Sequence, residues 1–316
     1  MIVALAGGVG GGRMATGLAA VLPPRGLAIV VNTGDDFEHL GLHVSPDLDS
    51  VLYALAGVDN RETGWGRAGE TWNFMEALRG LGGEAWFRLG DRDLAVHVLR
   101  TRLLARGIPL SGVTRMLARR LGVRHAIVPM SETPVRTRVR TGRGTLAFQD
   151  YFVKLGCRPR VRGFRFQGGR AARVPQALRR LLRPGRIHAV VICPSNPYVS
   201  VAPILSVPTI RAWLESRSFP VVGVSPIVGG AAVKGPAAKI MRELGAEPSA
   251  LGVARHYGGQ VDGWVIDRKD AGLARAIAEE GKAVLVTDTI MSDREKSAAL
   301  GRRVVAFALS LAEKQD

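Results

Sequence analysis

The sequence predicts an α/β fold, in which a mostly parallel sheet carries helices on both faces. Short apolar runs recur along the chain, and helical patterns separate several of them. This alternation is typical of parallel sheets, because strands that run in the same direction need a crossover between them. Polar segments follow most of the runs, as expected at the sheet edge where ligands bind. The apolar runs are residues 2–6, 27–31, 187–192, 221–224, 261–266 and 283–286.

Length and pattern together predict a single domain. The 316 residues can bury a large core without disulfides, and we expect one α/β domain over residues 1–316. The alternation is broken over approximately residues 91–175, which we interpret as a helical and β-rich insertion. Two arginine-rich helices are predicted there first. A half-exposed strand is predicted after them, in which Arg136, Arg138 and Arg140 alternate with apolar or β-branched residues.

Composition limits the cellular setting and the partners. The two cysteines, Cys157 and Cys193, have no metal-binding spacing and suit a reducing compartment. The chain shows no signal-peptide pattern and no apolar run that could span a bilayer, so we expect a cytoplasmic protein without a membrane partner. The net charge of +17 would suit nucleic acid. The arginines are dispersed, however, and few aromatic residues lie among them, so we expect no nucleic-acid partner.

A glycine run after the first strand predicts a phosphate site. Glycine lets the backbone N–H groups approach an anion closely, and the N-terminus of the next helix adds positive charge. A standard P-loop NTPase is excluded, because Arg13 and Met14 stand where that motif has Lys and Ser or Thr. A looser dinucleotide pattern also fits, which keeps a nicotinamide-dependent oxidoreductase as an alternative. The residues predicted to bind phosphate here are Gly8, Gly10, Gly11 and Arg13.

The second apolar run is followed by Asn32-Thr33-Gly34-Asp35-Asp36. Adjacent carboxylates at the carboxyl end of a strand are candidate Mg²⁺ ligands, because hard cations prefer oxygen. The alternative is an Asx turn at Asn32 with two solvated acids. The local sequence does not decide between these interpretations.

A helix is predicted from Pro46 to Gly57, with Ser45 as its N-cap. Its first turn contains Asp47 and Asp49. Residues two apart on a helix point about 200° apart, so the two carboxylates should lie on opposite sides of the helix. We therefore expect one of them to bind the ion and the other to support the loop.

A further charged segment, Leu89-Gly90-Asp91-Arg92-Asp93, follows the strand-like residues 85–88. Arg88 and Arg92 are candidates for bidentate phosphate binding. They could equally pair with Asp91 and Asp93, which also suit the first turn of a helix.

Two later strands are followed by polar loops. Ser195 and Asn196 lie in a proline-flanked segment and suit hydrogen bonds to phosphate or ribose. Gly229 and Lys234 lie in the second loop and predict another phosphate cradle. Ordinary proline-rich turns are the alternative for each loop taken alone. Several such loops at one sheet edge favour a common ligand site.

Taken together, these segments resemble the 2-phospho-L-lactate transferase family of coenzyme F420 biosynthesis. The resemblance covers nearly the whole chain, and the order of the motifs is more specific than any one of them. One departure is the glycine run, where family members often carry Thr or Ser near Val9 and Lys at the position of Arg13. The motifs are the opening glycine run, residues 32–36, 45–49, 89–93, 195–197, 225–229 with 235–236, and 288–291.

The resemblance implies a Rossmann-like, Mg²⁺-dependent enzyme that acts as a homodimer. Its substrates would be a guanosine diphosphate-linked hydroxyacid and the deazaflavin alcohol Fo. The enzyme would transfer the phospho-acid to the ribityl hydroxyl of Fo and release GMP. The acid is 2-phospholactate, phosphoenolpyruvate or 3-phosphoglycerate, and the sequence does not select one. A non-catalytic nucleotide-binding regulator remains the alternative to an enzyme.

The resemblance also implies roles for individual residues. Asp49 and Arg88 would be catalytic and would bind Fo. The chemistry of the side chains leads us to expect that Asp49, with Asp35 or Asp36, holds Mg²⁺. Asp49 could instead orient or deprotonate the Fo hydroxyl. The remaining residues implied at the Fo site are Thr33, Gly34 and Asp35, and those at the guanylate and diphosphate are Gly8, Gly10, Gly11, Arg13, Ser195, Asn196, Gly229 and Lys234.

Overall fold

A computed structural model describes residues 1–183 and 185–313, so residues 184 and 314–316 of the predicted domain lie outside the described part. The strands are β1 (Ile2–Ala6), β2 (Leu27–Val31), β3 (Phe37–His39), β4 (Leu42–Val44), β5 (Ala126–Pro129), β6 (Arg136–Thr141), β7 (Gly144–Ala147), β8 (Val161–Gln167), β9 (Ala189–Ile192), β10 (Val221–Val224), β11 (Ile227–Val228), β12 (Ala231–Ala232), β13 (Gly263–Asp267) and β14 (Ala283–Thr287). The α-helices are α1 (Gly8–Val21), α2 (Pro46–Ala56), α3 (Asn73–Gly80), α4 (Asp91–Ala105), α5 (Leu110–Arg120), α6 (Gln176–Leu181), α7 (Ala202–Leu205), α8 (Pro208–Glu215), α9 (Ala237–Glu243), α10 (Ala250–Tyr257), α11 (Ala274–Glu279) and α12 (Arg294–Ala312).

Seven strands form one parallel sheet in the order β14-β13-β10-β9-β1-β2-β5. The chain starts at β1, moves outward to β5, and then returns to β9 on the other side of β1. The strand order therefore reverses between β1 and β9, and ligands of doubly wound sheets bind at such a switch point. This topology confirms the predicted Rossmann-like α/β fold.

The core lies on both faces of the sheet, because successive side chains of a strand point to opposite faces. Val3 and Leu5 of β1 pack into one cluster, which also contains Val139, Ile204 and Ile240. Ile2, Ala4 and Ala6 face the other cluster, with apolar side chains from α1, α2, α5 and α12. All five residues of β1 are at most 2% exposed. The predicted cover of helices on both faces is confirmed.

The glycine run is mostly helical and forms only a short loop. Strand β1 ends at Ala6 and helix α1 begins at Gly8, so only Gly7 separates them. Gly8 has φ +63°, a conformation that glycine adopts readily. The remaining glycines allow close packing: a Cβ on Gly10 would clash with the carbonyl oxygen of Pro194. The run therefore brings the N-terminus of α1 directly against the loop after β9.

Gly10→Ala is expected to lower the free energy of unfolding by about 1–3 kcal/mol, because the added methyl meets backbone oxygen that cannot move aside easily. Gly80→Ala in α3 is the matched control, since nothing lies within 4 Å of a Cβ there. Urea unfolding followed by circular dichroism measures both changes. Equal stability of the two variants would contradict the packing role of Gly10.

The predicted insertion over residues 91–175 is only partly separate from the main sheet. β5 pairs in parallel with β2, so α4 and α5 form part of the crossover that leads to the edge of this sheet. The antiparallel sheet β7-β6-β8 is the added part, and it lies between β5 and β9 in the chain. The strand expected at residues 85–88 is absent, because Trp86 and Phe87 pack instead on Phe37 of the hairpin β3–β4.

The last helix packs on the first. A Cβ on Gly17 of α1 would clash with the carbonyl oxygen of Ser297, and one on Gly301 of α12 with that of Gly17, so the two helices touch backbone to backbone. Arg294 also donates a hydrogen bond from Nη2 to the carbonyl oxygen of Ala54 in α2, at 3.4 Å. Within the described ranges, no helix has both the length and the apolar composition that a bilayer crossing requires.

Candidate functional site

The loops after β1 and β9 meet at the switch point. The N–H of Gly7 donates to Ser195 Oγ at 3.1 Å, and this hydroxyl donates to the carbonyl oxygen of Gly7 at 2.8 Å. Gly11 of α1 also lies against Ser195. Asn196 follows, and its Nδ2 is buried without a hydrogen-bond partner among the described residues. The structure thus brings the predicted residues Gly8, Gly10, Gly11, Ser195 and Asn196 together.

Two cations lie close together near the start of α1. Arg13 donates to the carbonyl oxygen of Met291 at 3.1 Å, and Lys234 donates to that of Thr63 at 3.2 Å. Partial burial and the nearby charge of Arg13 lower the pKa of Lys234. Neither residue forms a salt bridge within residues 1–183 and 185–313. The first N–H groups of α1 also lack acceptors within the helix. This arrangement suits an anion with more than one negative charge.

Gly229 is engaged differently from the prediction. Its N–H donates to both carboxylate oxygens of Asp270, at 3.0 and 3.1 Å, so it is not free for a phosphate. Asp270 is buried and holds the loop after β10 against the segment after β13. Of the two residues predicted in this loop, Lys234 is therefore the one whose polar group is placed for an anion.

The loop after β2 is an Asx turn that also gathers carboxylates. Asn32 Oδ1 accepts from the N–H of Gly34 at 2.7 Å, and Asn32 Nδ2 donates to Asp47 at 2.9 Å and to Asp35 at 3.2 Å. All these side chains are buried. Burial, then the charges of Asp47 and Asp36, raise the pKa of Asp35 well above its usual range. Burial also raises the pKa of Asp47 to about 6. The two acids thus share one amide, and no cationic side chain of the described residues forms a salt bridge with either of them.

Asp36 lies on the other side of this loop. Its Oδ2 accepts from Ser45 Oγ at 2.9 Å and lies 3.2 Å from His43 Nε2. Its Oδ1 is buried and has no partner among the described residues. Ser45 precedes α2, as predicted, but its hydroxyl binds Asp36 and does not cap the helix. An orphaned carboxylate oxygen near two acids with raised pKa is a donor set that fits Mg²⁺.

Asp47 and Asp49 lie on opposite sides of α2, as their spacing predicts. Asp47 lies against Gly7 and Gly8 and beside Asp35. Asp49 forms a forked salt bridge with Arg100 of α4, which is also buried. The carboxylate that lies beside Asp35 is therefore Asp47, whereas Asp49 was expected there. The role of Asp49 as a metal ligand stays a prediction.

The segment before α4 is placed as follows. Arg88 is exposed, and its guanidinium lies over the ring of Trp72, 4.3 Å from the centroid. Asp91 accepts hydrogen bonds from the N–H groups of Asn73 and Phe74, at 3.2 Å each, and so caps α3. Arg92 is exposed, and its backbone N–H donates to Glu70 at 2.7 Å. Asp91 is therefore structural, while the phosphate roles of both arginines stay predictions.

The added antiparallel sheet also reaches the site. The N–H of Thr137 in β6 donates to the carbonyl oxygen of Gly34 at 2.6 Å, and Gln149 Nε2 donates to that of Asp35 at 3.2 Å. The hydroxyls of Thr33 and Thr137 are buried and unpartnered in the part of the chain that the structure describes. Thr137 and Gln149 could not be identified from the sequence, because nothing in their local pattern distinguishes them from their neighbours in the predicted β-rich segment.

Comparison with known proteins gives a consistent result. A model of the family described as 2-phospho-L-lactate transferase CofD matches residues 2–309. The chain is 41% identical to a phosphoenolpyruvate transferase of Streptomyces griseus, over 99% of this chain and 98% of that protein. It is 39% identical to a 2-phospho-L-lactate transferase of Methanopyrus kandleri, over 98% of each chain. A Methanosarcina mazei protein of the same name is 37% identical, over 96% of this chain and 99% of that one.

The fold is also found in a solved structure. A crystal structure of a UPF0052 family member from Bacillus halodurans superposes with a TM-score of 0.53. Its sequence is 18% identical, and the match covers 95% of this chain and 89% of that one. At this identity the likeness shows the fold alone, whereas the sequence relatives show the family. The chain belongs to the 2-phospho-L-lactate transferase family, the phospho-hydroxyacid transferases of coenzyme F420 biosynthesis.

Proposed function

We propose that the protein transfers a phospho-hydroxyacid from a guanosine diphosphate-linked donor to the terminal ribityl hydroxyl of Fo, releasing GMP. The hydroxyl oxygen forms a bond to the phosphorus that bears the acid, and the bond from that phosphorus to the guanylate oxygen breaks. The main support is a pair of neighbouring cations beside α1, Arg13 and Lys234, together with a buried acid pair at the N-terminus of the same helix. Phosphoryl transfer depends chiefly on such positioning and charge neutralisation.

The donor would bind at the start of α1. The backbone N–H groups of Val9 and Gly10, with Arg13 and Lys234, would contact the diphosphate oxygens, since the N–H of Gly8 faces the Asp47 carboxylate. Asn196 has a buried, unpartnered Nδ2, which would donate to the guanylate or its phosphate. Ser195 would act indirectly, because its hydroxyl is already used to hold Gly7.

Mg²⁺ would be held by Asp35 and Asp47, with Asp36 nearby through its free Oδ1. One or two carboxylates are the usual protein contribution at Mg²⁺ sites that also include substrate phosphates. When bound, the ion would supply positive charge to the diphosphate. Asn32 would keep the two carboxylates at a fixed separation, because its amide contacts both.

The acceptor would bind near Asp49 and Arg88. The Asp49 carboxylate would accept the proton of the ribityl hydroxyl as the new bond forms. Arg88, stacked on Trp72, would contribute positive charge beside the acceptor. The residues of the Asx turn, Thr33 and Gly34, would lie between this region and the metal site. A homodimer is proposed from the family resemblance alone, and a cytoplasmic location is proposed from the two distant cysteines, which suit a reducing compartment.

The acid on the donor is proposed to be phosphoenolpyruvate. Relatives from Streptomyces griseus, Streptomyces coelicolor and Thermobifida fusca, each 40% or 41% identical, carry the name phosphoenolpyruvate transferase. The archaeal relatives named for 2-phospholactate are 37–39% identical. The 3-phosphoglycerate donor is the third candidate.

The test is mass spectrometry of the product. Purified protein is incubated with Fo, Mg²⁺ and each of the three guanylylated acids in turn, and both the Fo adduct and GMP are quantified. We expect one GMP per adduct, and the highest kcat/KM with the phosphoenolpyruvate donor. No adduct with any donor would overturn the proposed reaction, while preference for another donor would overturn only the choice of acid.

Mg²⁺ binds the ionised form of Asp47, so its effect on the thermal stability of the protein should depend on pH. This effect is measurable without substrate. Asp47 has a usual pKa of 3.8, which is raised to about 6 in the folded protein. Folding therefore favours its protonated form, and the associated stability is lost as the pH rises from about 4 through about 6. We expect Mg²⁺ to raise Tm at pH 7.5 and to raise it much less at pH 5.

Differential scanning fluorimetry with EDTA or Mg²⁺ measures this effect. Asp47→Asn should remove most of the Mg²⁺-dependent rise in Tm, whereas Asp59→Asn, a change in a partly exposed acid that pairs with Arg61, should leave it. An unchanged Mg²⁺ effect in Asp47→Asn would show that the ion binds elsewhere.

A further inference from the structure

Asp49 belongs to a buried network that the proposed chemistry does not itself explain. Arg100 of α4 is 2% exposed, and its guanidinium donates to both carboxylate oxygens of Asp49. Arg100 Nη1 also lies 3.2 Å from His97 Nδ1 and 3.5 Å from the carbonyl oxygen of His43. The guanidinium is therefore fixed by acceptors from three different elements, namely α2, α4 and the β3–β4 hairpin.

The contacts define the protonation of His97. An arginine can only donate, so the Nδ1 of His97 must be the acceptor, and the ring proton is on Nε2. That nitrogen lies 3.4 Å from Asp93 Oδ1, which also accepts from Tyr53 Oη at 2.5 Å. Tyr53 therefore holds Asp93 next to His97, whose Nε2 forms no hydrogen bond with the described residues, and all three side chains are buried.

The same side chains resemble a metal site in composition only. Ligand atoms of Asp49, Asp93 and His97 lie within 4.8 Å of one another. The guanidinium of Arg100, however, already supplies the positive charge to Asp49 and occupies the Nδ1 of His97. A metal ion at this position would have to displace the guanidinium from both carboxylate oxygens of Asp49 and from the Nδ1 of His97.

We propose that Arg100 is a positioning residue for the transfer reaction, which fixes the Asp49 carboxylate in the direction of the acceptor hydroxyl. This inference rests on the proposed role of Asp49. A forked guanidinium fixes both the position and the plane of a carboxylate, which a lysine ammonium does not. A carboxylate displaced by about 1 Å would lose about 100-fold in rate.

A double-mutant cycle tests the proposal. We compare kcat and KM of the wild type, Asp49→Asn, Arg100→Met and the variant with both changes, using single-turnover kinetics for slow variants. Arg100→Met should lower kcat about 100-fold while KM for Fo and donor changes less than about threefold. Arg100→Lys should recover only a small part of the loss. In the Asp49→Asn background, Arg100→Met should cause no further loss.

The cycle remains informative if Arg100→Met alone does not fold. That variant leaves Asp49 buried without its partner, whereas the double variant removes both charges and should be more stable. In that case, the kcat of Asp49→Asn is compared with that of the double variant, which shows whether Arg100 acts through Asp49. A further loss of kcat in the double variant would show that Arg100 acts independently of Asp49 and would overturn the proposal.

Other outcomes separate this inference from the proposed function. Full activity of Asp49→Asn would refute the role of Asp49 in the reaction, and with it the basis for Arg100. If kcat falls in Asp49→Asn but stays at the wild-type value in Arg100→Met, only the positioning role of Arg100 is refuted. Arg102→Met is the control, because Arg102 lies exposed on the same helix and should leave kcat unchanged. A divalent metal bound by Asp49, Asp93 and His97 in a crystal soaked with Mn²⁺ would also overturn the proposal.

Discussion

Asp49→Asn is expected to lower kcat by roughly two to four orders of magnitude, because a positioned general base contributes about that much. The amide retains the shape of the side chain, so Arg100 can still donate to its oxygen, but the amide cannot take up the proton of the ribityl hydroxyl. KM for the guanylylated donor should stay nearly constant, since the donor would bind at the start of α1. Steady-state assays of GMP release measure both constants.

Asp47→Asn separates this effect from a general loss of negative charge. Asp47 lies two residues from Asp49, on the opposite side of α2. The decrease in kcat caused by Asp47→Asn should be relieved in part by higher Mg²⁺ concentrations. The decrease in kcat caused by Asp49→Asn should not depend on the Mg²⁺ concentration. Near-wild-type kcat in a folded Asp49→Asn protein would exclude Asp49 from the chemistry.

Replacement of both Arg13 and Lys234 by Met is expected to raise KM for the donor by roughly two orders of magnitude or more. Each hydrogen bond from a charged group contributes about 1.5–3 kcal/mol, which is about 10- to 150-fold in affinity. The effect should decrease as salt concentration rises, because ions screen exposed charges. The affinity for Fo should change little, since the acceptor would bind near Asp49. Isothermal titration with a non-reactive donor analogue and with Fo measures the two affinities.

Lys296→Met provides the control for lost positive charge, because Lys296 is exposed and lies 3.9 Å from Asp293. Equal weakening of donor binding by this variant would mean that the net charge of the surface, and not a defined site, attracts the donor. Unchanged donor affinity in the Arg13 and Lys234 variant would place the diphosphate elsewhere.

Most of the sheet could be predicted from the sequence, because the strands are short and buried on both faces. Residues 27–31 and 221–224 form β2 and β10 with the predicted bounds, and the other four apolar runs form strands whose ends differ from the prediction by at most two residues, whereas residues 85–88 form no strand. Helix α2 begins at Pro46 as predicted, since proline is favoured in the first turn, and Gly57 ends it in the left-handed conformation with φ +72°. These features depend on local sequence.

The site was less predictable, because its geometry depends on contacts between distant segments. The spacing of Asp47 and Asp49 correctly placed them on opposite sides of α2, but it did not show which side faces the Asx turn. Arg100 resembles the other arginines of its helix in sequence, but the packing of α4 on β4 and the hydrogen bonds to Asp49 of α2 bury it. Gly229 matched a phosphate-binding pattern, but Asp270, a residue of a different loop, accepts its N–H.

The contact of α12 with α1 has a consequence for synthesis on the ribosome. The helix at the candidate donor site is made among the first residues, yet one of its faces packs on residues 294–312. Met14 and Leu18 of α1 belong to the same apolar cluster as Leu300 and Val304 of α12. In a nascent chain, this apolar face therefore stays exposed until α12 has left the ribosomal exit tunnel, so the candidate donor site cannot reach its final packing before the last helix is made.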